Sequence, residues 1–347
     1  MFPLKNHSGV QIKTEEQILK ILGWNSQFEE EFKNLNHIDA EPGRIVLEER
    51  RYYNVTTAKG PLRVTLPGKV FHRAAKDDDL PVTGDWVAID RVNRTIFAIL
   101  TRTTLISRKS SGTRKKSQVK KNRIQRLAAN VNTVFIVNGL DEDYNIRRIE
   151  RYLTLIQGSG AGVVVYLNKS DLCKQTKKRL HSVKETIGDV PVYAGCAHKP
   201  DDLLPFLKYL EPGQTCVLLG SSGVGKSTII NTLLGHERQV IQSISSKFKK
   251  GRHTTTQREL IIMPQGGIII DTPGLREIQL FGDAVDLAQV FPEVEELSKK
   301  CRFNDCNHNK EPNCAVKSAV EKGSLDPERL KNYRKMKAEM LNSQIQA

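Results

Sequence analysis

Gly220-Ser221-Ser222-Gly223-Val224-Gly225-Lys226-Ser227-Thr228 fits the pattern G-x-x-x-x-G-K-[ST] at every required position. The preceding run Thr215-Cys216-Val217-Leu218-Leu219 reads as a short buried strand. The following run Ile229-Ile230-Asn231-Thr232-Leu233-Leu234 continues as a helix. That strand–loop–helix context separates a phosphate-binding loop from an ordinary glycine-rich turn. Its glycines let successive N–H groups converge on phosphate oxygens, and the new helix adds the positive end of its dipole. Lys226 is expected to reach the β- and γ-phosphates, and the Ser227 hydroxyl to ligate Mg²⁺.

Working outward, Asn168-Lys169-Ser170-Asp171 ends the apolar run Gly162–Leu167 and fits N-K-x-D. A carboxylate at Asp171 can accept both N1–H and the exocyclic amine of guanine. Adenine offers neither donor there, so ATP would leave the carboxylate unpaired. Asn168 and Lys169 would brace the loop and cover the base. Downstream, Gly267-Ile268-Ile269-Ile270-Asp271-Thr272-Pro273-Gly274 ends a strand with D-x-x-G. Asp271 suits the water shell of Mg²⁺, and the Gly274 N–H can sense a γ-phosphate. Between them lies Lys249-Lys250-Gly251-Arg252-His253-Thr254-Thr255-Thr256, where a first switch segment belongs. One of its threonines is expected to ligate Mg²⁺, with Thr255 the choice. Leu275 follows D-x-x-G where a water-orienting glutamine could stand, so His253 becomes the candidate for that task. In the ordinary order N-K-x-D comes after D-x-x-G, whereas here Asn168 precedes Gly220. The expected domain is therefore a circularly permuted P-loop GTPase, and whatever follows Gly274 is wired to its second switch.

The flanks have their own character. Residues 14–35 read as two short helices. Residues 41–106 hold about five short strands divided by turn signals such as Lys59-Gly60-Pro61 and Val92-Asn93-Arg94. That spacing predicts a small β-barrel, with an OB-fold the best match. Arg108 to Arg126 carries nine basic and no acidic residues and reads as a linker suited to phosphate contact. Alternating strands and helices then occupy residues 130–234, the mark of a largely parallel sheet. Near the C-terminus, Cys301-x₄-Cys306-x-His308-x₅-Cys314 offers three thiolates and an imidazole, a set that tetrahedral Zn²⁺ takes as a closed structural site. The expected architecture is multidomain α/β: an N-terminal helical extension (1–39), an OB-fold (40–107), a basic linker (108–127), a permuted GTPase domain (128–282) and a zinc-binding helical domain (283–347).

With 54 Lys+Arg against 39 Asp+Glu, the chain carries a formal charge of +15, which points to an anionic partner and first to nucleic acid. Six cysteines are few for a disulfide framework in 347 residues. No apolar run approaches a membrane span and no signal-peptide layout opens the chain, so a cytoplasmic protein without membrane contact is expected.

Together these motifs resemble the ribosome small-subunit-dependent GTPase A family (RsgA, YjeQ or YloQ) over roughly residues 40–335. Pro81-Val82-Thr83-Gly84-Asp85-Trp86-Val87 and Ala128-Ala129-Asn130-Val131 look like that family as well. The resemblance implies a bacterial GTP hydrolase, cycling between GTP and GDP, that acts late in maturation of the 30S subunit and is stimulated by it. It implies that the barrel and the zinc domain contact 16S rRNA, and that His253 is a catalytic group. It also implies that Leu275 is normal for the family. A monomer is expected. Where relatives carry Ser-Ala near the guanine, this chain has Cys196-Ala197, so that element is expected to hold the base less well. The competing reading is a GTP-binding RNA chaperone or scaffold with little turnover. A third, a GTPase unrelated to RNA, would show weak RNA affinity with no salt dependence.

Overall fold

The computed structural model describes residues 14–49, 52–68, 71, 80–109, 124–235, 259–271, 287, 290–303, 305–309 and 311–344. By contact the chain divides into two units. One comprises Met1–Ile106, Arg126–Tyr144 and Gly160–Arg276; the other comprises Ser107–Gln125, Asn145–Ser159 and Glu277–Ala347.

In the first unit, apolar runs too continuous for one-sided burial form a parallel sheet. Its strands are β8 (Thr133–Gly139), β9 (Gly162–Asn168), β10 (Val192–Ala194), β11 (Thr215–Leu219) and β13 (Ile268–Asp271), joined by the antiparallel β12 (Glu259–Ile262). Every residue of β8 and β11 is buried, as expected for strands covered on both faces. The spatial order is β10-β9-β8-β11-β13-β12. On one face, Phe135 stacks on Phe206 with centroids 4.2 Å apart and packs with Tyr166, Leu218, Ile229 and Ile230.

The sheet continues from β12 into β1 (Ala40–Glu48), β2 (Tyr53–Thr57) and β3 (Gly60–Val64), with β4 (Trp86–Asp90) on the other edge of β1 and β5 (Thr95–Ile99) beyond it. An isolated parallel bridge from Thr65 to Thr95 brings the end of β3 back to β5. Ile45, Val55, Val64, Val87, Ile89 and Ile96 alternate inward and fill the space these strands enclose. Gly43 permits the close crossing, since a Cβ there would lie 2.3 Å from Ile89 Cδ1. Helices α1 (Glu15–Ile21) and α2 (Ser26–Asn34) are capped by the Thr14 and Asn25 side chains. They set Leu22, Trp24 and Phe28 against the fully buried Trp86. Arg44, 1% exposed, donates to the carbonyls of Leu22, Gly84 and Asn130, so one guanidinium fastens the N-terminal helices, the β1–β5 strands and the parallel sheet together.

Two sequence expectations change in detail. The helix that the alternating pattern leads one to expect just before the Thr215–Leu219 strand is a 3₁₀ turn, Pro200–Leu203, followed by a new helical turn α5 (Leu204–Leu207). Pro205 lacks an N–H and is tolerated only where a helix begins, which forces the restart. The basic linker is shorter than its composition suggested, because its ends are strands: β6 (Leu105–Lys109) pairs with β7 (Ile124–Ala129). Leu127, Ala128 and Ala129 supply the buried residues that a linker lacks. The middle of the basic run lies outside the described residues.

The second unit contains α3 (Ile146–Gln157), capped by Asn145, together with α7 (Pro292–Ser298), α8 (Ala315–Glu321) and α9 (Pro327–Gln344). Buried Glu150 of α3 accepts from Arg329 and, at 2.9 Å, from Asn332. Arg329 also bonds Glu293 at 2.5 Å and lies 4.4 Å over the Phe291 ring. Burial raises the Glu150 carboxyl above the usual carboxylate range, with Arg329 opposing it. This network groups α3 with the C-terminal helices by contact.

Candidate nucleotide site and metal centre

Parallel strands collect their following loops at one edge of a sheet, the usual place for a ligand in an α/β fold. The phosphate loop follows β11, Asn168 ends β9, and Asp271 ends β13. Strand pairing brings these loops together although their order along the chain is permuted. Within the loop, Gly223 and Gly225 adopt φ of 77° and 105°, which side-chain-bearing residues resist. α6 (Lys226–Leu234) then begins at the motif lysine, with Ser227 and Thr228 in its first turn. The Lys226 ammonium donates to the carbonyls of Gly220 (2.8 Å) and Ser221 (2.7 Å), folded back over the loop.

Asn168 is the junction of the site. Its Nδ2 donates to Val224 O at 2.8 Å, inside the phosphate loop. Its Oδ1 accepts from Ala197 N at 2.9 Å. The Ala197 carbonyl in turn accepts from Thr232 of α6 at 2.7 Å. One buried amide thus ties three sequence-distant loops. Lys169 has a left-handed backbone (φ 62°) and donates to Asp141 Oδ2 at 2.7 Å. Ser170 opens a 3₁₀ turn, Ser170–Leu172, and its N–H reaches Gly195 O at 3.1 Å. A hydrogen bond from the Cys196 side chain holds the Asp171 carboxyl below the usual carboxylate range. Burial, with Asp171 beside it, pushes the Cys196 thiol up, so it remains a protonated donor at neutral pH. The Cys196 N–H is fixed by Asp202 Oδ2 at 2.8 Å.

Three carboxylates in this neighbourhood, Asp141, Asp143 and Asp202, carry no motif and escaped the sequence reading. For Asp141 and Asp143 a signal existed: both stand just past the carboxyl end of β8, the edge where the other loops gather. His253, Thr255, Thr272, Pro273, Gly274 and Leu275 lie outside the described residues.

In the second unit, Cys301, Cys306, His308 and Cys314 place one ligand atom each within 4.8 Å of the others. Cys301 Sγ lies 3.8 Å from Cys314 Sγ and 3.6 Å from His308 Nδ1, and Cys314 Sγ lies 3.4 Å from the same nitrogen. Tetrahedral Zn²⁺, with bonds of about 2.3 Å to sulfur and about 2.0 Å to nitrogen, sets S···S near about 3.8 Å and S···N near about 3.5 Å. The donor set therefore fits zinc in chemistry and spacing. His308 Nε2 meets Ser298 Oγ at 3.0 Å, which orients the ring so that Nδ1 faces the thiols. Cys314 also caps α8, its Sγ accepting from Lys317 N at 3.5 Å.

Residues 99–281 match the RsgA GTPase family. The chain is 43% identical over 333 residues to the small ribosomal subunit biogenesis GTPase RsgA of Syntrophotalea carbinolica, covering 95% of this chain and 91% of that one. It is 38% identical to the protein of the same name from Leptospira interrogans, covering 93% and 89%. Among solved structures it resembles YjeQ from Thermotoga maritima, with a TM-score of 0.60 at 25% identity over 87% of this chain and 99% of that one. It also shares the fold of YloQ, a circularly permuted GTPase, with a TM-score of 0.57 at 24% identity over 89% and 97%. Likeness of sequence spans nearly the whole of both chains, and likeness of fold extends to the permuted topology. The chain belongs to the RsgA GTPase family.

Proposed function

We propose that this chain hydrolyses GTP in biogenesis of the small ribosomal subunit, binding the 30S particle and being stimulated by it. The observation that carries the reading is Asn168, which joins an N-K-x-D element to a phosphate loop and to the Cys196-Ala197 loop. Such a junction has a use only if base and phosphates bind as one ligand. Asp171 reads the guanine edge, while Lys169 covers the ring and Cys196-Ala197 closes over it. The N–H groups of Gly220 to Thr228 cradle the phosphates. Lys226 exchanges its two loop carbonyls for phosphate oxygens, and this charge stabilises the transferring group. Ser227 and Thr255, with Asp271 behind them, would hold Mg²⁺, which would supply positive charge to offset the phosphates. His253 positions the attacking water, and Gly274 reports the γ-phosphate.

The five strands β1–β5 constitute an OB-fold; their pairing order and the parallel Thr65–Thr95 closure support it. Cys301, Cys306, His308 and Cys314 would hold one zinc ion, which would tie the loop over 301–314 to the start of α8. The sequence boundaries 1–39, 40–107, 128–282 and 283–347 are taken as the functional modules, with the basic segment of 108–127 running between the paired strands β6 and β7. The excess of positive charge supports 16S rRNA as the surface contacted, by a monomer working in the cytoplasm where the subunit is built. The test is the GTP hydrolysis rate with and without purified 30S subunits. Stimulation is expected, and an unchanged rate overturns the reading.

A further inference from the structure

Past β8 the chain turns through Gly139-Leu140-Asp141-Glu142-Asp143-Tyr144, which belongs to no nucleotide motif. Two of its carboxylates are directed back at the nucleotide loops. Asp141 Oδ2 accepts from Lys169 Nζ at 2.7 Å. Asp143 donates its N–H to Asp141 Oδ1 at 3.2 Å, and its own carboxylate accepts from the Ser221 hydroxyl of the phosphate loop. The turn is also pinned from behind. Leu140 N–H reaches Asn168 O at 2.8 Å, and Arg179 donates to Leu140 O at 2.6 Å while lying 4.5 Å over the Tyr144 ring. Gly139 makes room for this arrangement, since a Cβ there would stand 2.3 Å from Asp141 Oδ1. A lysine is a flexible stem with a point charge at its tip. Fixing the tip fixes the path of the stem, and the stem is the part that covers a base.

We propose that Asp141 is a positioning residue for the guanine nucleotide, holding Lys169 so that its stem lies along the purine face. Through Asp143 and Ser221 the same turn keeps the base cover and the phosphate loop in one register. This rests on the reading of Lys169 as the residue that covers the base.

The test is a thermodynamic cycle on the full chain, titrating GDP and inosine diphosphate into wild type, Asp141→Asn, Lys169→Met and the double variant. Lys169→Met is expected to weaken GDP. Asp141→Asn is expected to weaken GDP by about two- to fivefold, the upper part of the range for a partly exposed ion pair. Inosine diphosphate should weaken by the same factor, because the stem touches the ring face that both bases share. In the Lys169→Met background the Asp141 change should have no further effect, which also shows that the variant folds. Wild-type affinity in Asp141→Asn overturns the proposal, and so do losses that multiply in the double variant. If Lys169→Met itself binds GDP as wild type does, the charged tip does not set the stem and the proposal falls, while Lys169→Ala at wild-type affinity would remove the base-covering reading itself.

Discussion

Replacing Asn168 with alanine removes two hydrogen bonds at once, one to Val224 O (2.8 Å) and one from Ala197 N (2.9 Å). All three residues are buried, with exposures of 2%, 1% and 2% for Asn168, Val224 and Ala197. Water does not readily replace the lost partner, so a carbonyl and an N–H are left unsatisfied. Each such group costs about 1–3 kcal/mol, and partial relaxation brings the pair to about 2–4 kcal/mol. The affected groups sit in the phosphate loop and the loop over the base, so the effect is expected in nucleotide affinity rather than in the rest of the sheet. At 1.4 kcal/mol per factor of ten, GDP binding should weaken by about 30- to 1,000-fold. Isothermal titration with GDP measures it directly, and a thermal melt of the nucleotide-free protein reports any loss elsewhere. Asn168→Asp keeps the acceptor for Ala197 but sets a carboxylate against the Val224 carbonyl, so it should be no better than alanine. GDP affinity within threefold of wild type for Asn168→Ala would refute the reasoning. So would a lowered melting temperature with unchanged affinity.

Other consequences are equally open to measurement. Gly225→Ala must carry a side chain at φ 105° with its Cβ 2.2 Å from Asn168 Nδ2, so its GDP affinity should fall at least as far as in Asn168→Ala. Elemental analysis should find one zinc per chain, and Cys306→Ser or a strong chelator should remove it together with the protease resistance of residues around 301–321. Because the Cys196 side chain lowers the Asp171 pKa, the carboxylate proposed to read guanine stays charged as pH falls. GDP affinity should therefore change less than about twofold between pH 7.5 and 5, and its acid loss should begin only below the ordinary aspartate value of about 3.9. Cys196→Val should shift that loss upward, while Cys196→Ser should not; equal acid profiles for all three proteins would exclude the thiol's role. In the second unit, Arg329→Met leaves Glu150 buried without its main partner and should destabilise by about 3–5 kcal/mol in a denaturant melt, whereas Glu150→Leu combined with Arg329→Met should recover most of it.

The nucleotide chemistry was legible in sequence because it is local. Gly220 to Thr228 must curl within nine residues, and Asn168 to Asp171 must present a carboxylate within four. Spacing alone constrains both. The strands β1–β5 and the buried strands of the parallel sheet could likewise be read from period and from turn residues. So could the cluster Cys301, Cys306, His308 and Cys314, whose spacing suits a single metal ion. What stayed hidden is what depends on residues far apart in the chain. Nothing near Arg44 announces that its guanidinium will be spent on carbonyls 22, 40 and 86 positions away. Nothing near Ile146–Gln157 tells that its Glu150 will meet Arg329. Asp141 and Asp143 could be placed past the end of β8 from sequence, but their partners Lys169 and Ser221 are set only once β8 is paired between β9 and β11.

Sequence by itself pointed to a guanine nucleotide and picked out the Cys/His cluster, because both signals lie in short-range spacing. It also showed that the motifs run in permuted order. Only the tertiary structure decided how that order is undone. The sheet sets β11 between β8 and β13, and pairing of strands is indifferent to where the chain is cut. Asn168 can then reach Val224 across 56 residues of sequence in a single hydrogen bond.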